Sequence, residues 1–198
     1  LELLTKNNLA RVIKIVYLCR VFIEILNNMN YKDIKTQEEF DKAKAEYMAK
    51  NPALKEAKPV ECLNLLLRKE FALQILEGVK KVEFRAFTEH YCSRLIDSDV
   101  DNWMQDHIDD EEAMYFANHV RPVKKIHFHN YNNSWSLDVE CVRNDYVAVT
   151  NKDVEFLNKE YDCHELDDML KDFNKRKEQN RPFFFYFALG KVLDKQGL

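Results

Sequence analysis

The chain has 198 residues, 46% of them apolar and 12% aromatic, which excludes a disordered polypeptide and suits one ordinary domain with an appendage. With only 3 glycines, it is a poor match for glycine-rich phosphate loops or for many tight two-residue hairpins. The net charge of −4 removes bulk basicity as a handle for nucleic acid and leaves room only for a local basic groove. Cys19, Cys62, Cys92, Cys141 and Cys163 are odd in number and include no C-x-x-C pair, so reduced thiols in a cytoplasmic protein are expected.

Residues 1–58 read as a helical N-terminal extension. LARVIKIVYLCRVFIEIL (9–26) is strongly apolar, but Arg11, Lys14, Arg20 and Glu24 interrupt it, and charges within a membrane span are costly. A helix that is buried, or that docks a protein partner or a second copy, is therefore expected over a membrane anchor. The chain begins at Leu1 and its first methionine is Met29, so a native start near Met29 stays open. A second helix is announced by the capping-box pattern Thr36-Gln-Glu-Glu39, with Phe40, Ala43 and Tyr47 at helical spacing. Asn51-Pro52 ends it, and a linker runs to Pro59. Basic residues outnumber acidic ones up to this point and the balance reverses after it, which sets 59–198 apart as the main domain.

ECLNLLL (61–67) is a candidate buried strand, and RKEFALQILEG (68–78) a helix with an apolar stripe. Gly78 is placed to end that helix in the left-handed conformation, and KVEFRAF then alternates like a strand. DSDVDNWMQDHIDDEE (97–112) reads as an acidic, solvated insertion leading into a short helix over 113–119. Asp97, Asp99 and Asp101 imitate the opening of a calcium loop. Asn102 stands where its glycine belongs, however, and Ile108 where its closing glutamate belongs, so no calcium site is expected.

Three strand candidates follow: VKKIHFH (123–129), WSLDVECV (135–142) and YVAVT (146–150), the first two joined by a hairpin connection at 130–134. Next comes a helical stretch, in which Asp162 and Glu165 stand at capping-box separation before Leu166, Met169 and Leu170. PFFFYFALGKVLD (182–194) closes the chain as a strongly apolar strand. Five or six strands with few helices give an α+β fold, suited to a small, partly closed barrel.

Strand alternation alone groups Lys81, Glu83 and Arg85 on one face, opposite Val82 and Phe84. The bland reading is a solvated face with a weak ion pair. Gly78-Val-Lys80-Lys-Val-Glu83-Phe-Arg85 nevertheless resembles the G-x-K-x-x-E-x-R signature of the ASCH domain family, in a matching strand, helix, signature and strand order. The resemblance covers 61–198 and implies a small PUA-like β-barrel with flanking helices and a cleft that binds RNA or nucleotides. Lys80, Glu83 and Arg85 would line that cleft, and Gly78 would allow the turn that brings Lys80, rather than Lys81, into it. Lysine and arginine suit phosphate or carbonyl oxygens, and glutamate suits the exocyclic amine or ring N–H of a base. Tyr186 is expected on the cleft wall as a stacking residue, with Phe183, Phe185 and Phe187 in the core.

A related branch of that family hydrolyses the acetyl amide of modified cytidine nucleosides with a lysine, a threonine three residues on and a distant glutamate. Lys80 matches the lysine, but Glu83 stands where the threonine would be, so the hydroxyl is missing. An amidohydrolase acting on acylated pyrimidine nucleosides, with Lys80 and Glu83 as candidate catalytic groups, is the enzyme alternative. No cofactor is called for. His127 and His129 share a strand face at a spacing compatible with metal, but no third ligand converges on them in the sequence, so they are read as an exposed polar face and no metal site is expected.

Overall fold

The computed structural model describes residues 37–177 and 180–198. In chain order the elements are α1 (Gln37–Lys50), β1 (Leu63–Leu66), α2 (Lys69–Leu76), β2 (Val82–Ala86), α3 (Glu89–Leu95), α4 (Ser98–Asp106), α5 (Glu111–Phe116), β3 (Lys125–His129), β4 (Ser136–Ala148), α6 (Asn151–Tyr161), α7 (Asp167–Arg176) and β5 (Phe183–Gln196). The fold is α+β, and the described residues divide into two compact units. The apolar run 9–26 and Thr36 lie outside the described residues. Among the described residues no helix is long and apolar enough to cross a membrane.

The first unit joins residues 37–58 to 88–121. Its core sets Tyr47 of α1, with Leu54 and Ala57, against Val100 and Met104 of α4 and Ala113, Met114 and Phe116 of α5. The acidic segment is thus not a solvated insertion. Val100, Trp103 and Met104 recur at helical spacing and drive α4 into this core, while its carboxylates serve local structure. Asp97 caps α4, accepting from the backbone N–H groups of Asp99 and Val100, and it also takes the Lys58 N–H at 3.0 Å. Burial would raise its carboxyl, but these donors outweigh burial and hold it below the usual carboxylate range. Asp101 is buried with its Oδ1 2.8 Å from His119 Nδ1.

The second unit, 59–87 with 122–198, carries a mixed five-stranded sheet in the order β1-β3-β4-β5-β2. β1 runs parallel to β3 and every other pairing is antiparallel, and the sheet curls into a half-barrel. Leu63 and Leu65, Ile126 and Phe128, and Leu137 and Val139 pair across β1, β3 and β4, and all are essentially inaccessible to solvent. The expected strands 135–142 and 146–150 are one strand, because the polar Arg143-Asn144-Asp145 between them pairs with β5 instead of breaking away. Register shifts at Asp138/Val139, Val139/Cys141 and Cys141/Arg143 absorb the change of face and bend the strand. Asn144 is held in the ladder by the Val123 N–H, which donates to its Oδ1 at 2.7 Å.

Helices α6 and α7 and the turn between them supply Val154, Leu157, Cys163 and Leu166 to a second core beneath Val82, Val147 and Tyr186. β2 and the first half of β5, through Ala188, are therefore covered on both faces, whereas the far end of β5 is exposed. Asp162 does not open a capping box; it closes α6 in the left-handed conformation, φ 52°.

Candidate functional site

The site begins where α2 stops. Gly78 takes φ +72°, and the Gln74 carbonyl then accepts from both the Val79 and the Lys80 N–H groups, at 2.9 and 3.1 Å. This tight closure turns the chain so that Lys80 swings under the helix it has just left, with its ammonium 5.6 Å from the centre of the Phe71 ring. Lys81 is thrown the other way, to an exposed pair with Asp162 at 3.0 Å. Strand β2 then directs Glu83 and Arg85 to one face, beside Phe187 and Phe185 of β5, both of which are fully buried.

Lys80, Glu83 and Arg85 meet in a cavity of about 750 Å³, within the size range of small-molecule sites. Glu83 is the centre of the cluster. Its Oε1 lies 2.9 Å from Arg85 Nη2 and its Oε2 3.5 Å from Lys80 Nζ. Lys80 Nζ also donates to Glu165 Oε1 at 2.6 Å. The Lys80 and Glu83 side chains are each 6% exposed, whereas Glu165 is 49% exposed and sits toward solvent. Burial pushes the Glu83 carboxyl above its ordinary value, while the Arg85 guanidinium and the Lys80 ammonium pull it back. Arg85 Nη2 also donates to the Leu66 carbonyl at 2.8 Å, while its buried Nε has no hydrogen-bond partner among the described residues.

That guanidinium crosses from β2 to β1, the two outermost strands of the curled sheet, so the cavity opens along the seam between them. The wall also includes Leu67, Arg68, Lys69, Phe71, the Asn130–Ser134 connection and Trp135, the last only 4% exposed. Tyr131 lies on that connection and is 91% exposed. The arrangement offers the cations Lys80 and Arg85, the acceptor carboxylate of Glu83 between them, and aromatic surfaces within a single cavity.

Tyr186 is not part of this wall. It pairs opposite Phe84, faces away from Glu83 and Arg85, and is 1% exposed against Phe156 and Tyr161. Burial pushes its phenol strongly upward. It fills the core beneath α6 because the outer face of β5 is covered there, which alternation within one strand does not disclose. Glu165 is the contributor that the sequence pattern assigned elsewhere; 85 residues separate it from Lys80.

His127 and His129 lie on the other face of β3 from Ile126 and Phe128. Among the described residues no group of three or more histidine, cysteine or carboxylate side chains is arranged to hold a metal ion. No family model, curated protein or solved structure matches the chain.

Proposed function

We propose that the half-barrel is a PUA-like domain of the ASCH type, and that its cavity binds a nucleotide-like ligand, either a free nucleoside or nucleotide or one residue of an RNA strand. The observation that carries this reading is the convergence of Lys80, Glu83 and Arg85 in one enclosure walled by Phe71 and Trp135. Aromatic surfaces suit a base, Glu83 suits its N–H groups, and the unpartnered Arg85 Nε suits a carbonyl or phosphate oxygen. The acidic net charge favours a short ligand over a long nucleic acid. Free cysteines at 62, 92, 141 and 163 accord with the cytosol, which belongs to the same proposal.

The test is equilibrium binding of nucleosides, nucleotides and short single-stranded RNAs to the full chain and to Lys80→Ala and Arg85→Ala. Affinity is expected to fall at least tenfold in each variant, the loss of one charged hydrogen bond of about 1.5–3 kcal/mol. Unchanged affinity in both sinks the proposal.

A second reading, the amidohydrolase of acylated pyrimidine nucleosides, is favoured by the 2.6 Å contact of Lys80 with Glu165, which sets a carboxylate from a distant part of the chain against the buried lysine. Chromatographic assay of acylated nucleosides would then show turnover that disappears in Lys80→Ala and Glu165→Gln. No turnover of any acylated nucleoside by the wild-type chain eliminates this reading. A role for residues 9–26 in docking a protein partner or a second copy is a third proposal, tested by sedimentation of the full chain against one starting at Met29. Identical association states would remove it.

A further inference from the structure

His127 and His129 stand two residues apart on β3, their rings 5.5 Å apart between centroids and inclined by only 28°. Each ring has one nitrogen already committed. His127 Nδ1 lies 2.5 Å from Asp138 Oδ1, across the β3–β4 pair, and His129 Nδ1 lies 3.0 Å from the carbonyl oxygen of Asn130. A carbonyl only accepts, so His129 carries its proton on Nδ1. The other Asp138 oxygen accepts from the Lys125 ammonium at 2.7 Å, so Asp138 stands as an acceptor toward both of its neighbours. His127 therefore carries its proton on Nδ1 as well. In both rings the remaining nitrogen, Nε2, has no hydrogen-bond partner among the described residues.

This is how metal-binding histidines are prepared. A carboxylate or carbonyl fixes the tautomer and ring orientation through one nitrogen and raises the basicity of the other. We infer that His127 Nε2 and His129 Nε2 form a two-histidine chelate for a borderline divalent cation of the Zn²⁺, Ni²⁺ or Cu²⁺ class, with Asp138 as the positioning residue for His127. Imidazole nitrogen suits these ions and not Mg²⁺ or Ca²⁺, and Cu²⁺ binds tightest in the general order of affinities. Water completes the coordination, so the site is open on its solvent side; the His127 side chain is 35% exposed. The ammonium of Lys125, on the same face of β3, is already tied to Asp138 Oδ2 at 2.7 Å. No electron transfer is involved: two nitrogen lone pairs replace two waters on the ion. The inference does not depend on what the cavity binds.

The test uses the full chain with Cys62→Ser, so that this exposed thiol contributes nothing. Calorimetric titration with Zn²⁺ is expected to show one ion per chain, and paramagnetic resonance of the Cu²⁺ form to show two coordinated nitrogens. His127→Gln and His129→Gln should each lower affinity by at least about tenfold, and Asp138→Asn by about 10–100-fold, the usual effect of removing such a supporting group. His164→Gln removes an exposed histidine held by Asp162 and Asp167, and should leave affinity unchanged. Thermal unfolding of each variant checks that the sheet is intact. No stoichiometric binding, equal affinity in either β3 histidine variant, or a single coordinated nitrogen overturns the site.

Discussion

Arg85→Met isolates the electrostatics of the cavity, because methionine keeps most of the stem volume while removing the guanidinium. Taking one partner from a buried ion pair costs about 3–5 kcal/mol. Here the loss includes the 2.9 Å contact with Glu83 and the 2.8 Å bond to the Leu66 carbonyl. Two features reduce it: Lys80 remains 3.5 Å from the other Glu83 oxygen, and Glu83 can take up a proton. We therefore expect a loss of about 3 kcal/mol at pH 8, which for a chain of this size lowers Tm by roughly 6–12 °C.

The pH dependence has a definite sign. Burial raises the Glu83 carboxyl even with both cations in place, and removing Arg85 raises it further. A carboxyl raised by folding contributes its full stability below its unfolded value and loses it as pH rises through the folded value. The deficit of the variant against wild type must therefore widen from pH 5 to pH 8. Urea unfolding at the two pH values, followed by circular dichroism and tryptophan fluorescence, measures it. A deficit that is absent, or equal at both pH values, refutes the argument.

Glu83→Gln should be at least as stable as wild type at pH 8, since the raised carboxyl makes the neutral side chain the less costly one there, yet nucleoside affinity should fall about tenfold or more. A clear drop in its unfolding free energy would show instead that the charge of Glu83 holds Lys80 and Arg85 in place. Gly78→Ala meets no atom within 4 Å of the added carbon, so its cost is that of the left-handed backbone alone, about 1–2 kcal/mol by urea titration; a loss well above this would point to a contact at Gly78 that the structure lacks. Tyr186→Phe removes a buried hydrogen bond with Tyr161 and should cost about 1 kcal/mol without changing affinity at the cavity; a fall in affinity would return Tyr186 to the site. Among the four described cysteines, a thiol reagent should label Cys62 first, because it is exposed, whereas burial pushes Cys141 up to about 12 and also raises Cys163. Labelling of Cys141 at the rate of Cys62, followed by mass spectrometry, would contradict its burial.

Much of the sheet was legible because its strands carry strong local patterns. ECLNLLL, VKKIHFH and the closing aromatic run announce β1, β3 and β5, and Gly78 marks the end of α2. What was not legible depends on partners distant in sequence. Arg143-Asn144-Asp145 reads as a break, and only pairing with β5 keeps it in β4. The acids of 97–112 read as solvated because the apolar positions between them are sparse, and burial of Val100 and Met104 requires α1 and α5. The pairing of Glu83 with Arg85 lies within one strand and follows from alternation. Its burial does not, because alternation cannot say that both faces of β2 are covered. Glu165 reaches Lys80 only through the turn between α6 and α7.

The bond from Arg85 to the Leu66 carbonyl also bears on how the protein behaves in company. Among the described residues β1 and β2 each pair on one side only, leaving there a strand edge of the kind on which chains add to one another. Leu67 N–H bonds to β3 at the His129 carbonyl, so by the alternation of the ladder the groups of Leu66 face outward. By placing a guanidinium on that carbonyl, the curled sheet occupies one of its own exposed acceptors and sets a charge where a foreign strand would have to dock. The residue that shapes the cavity thus also guards the protein against edge-to-edge aggregation.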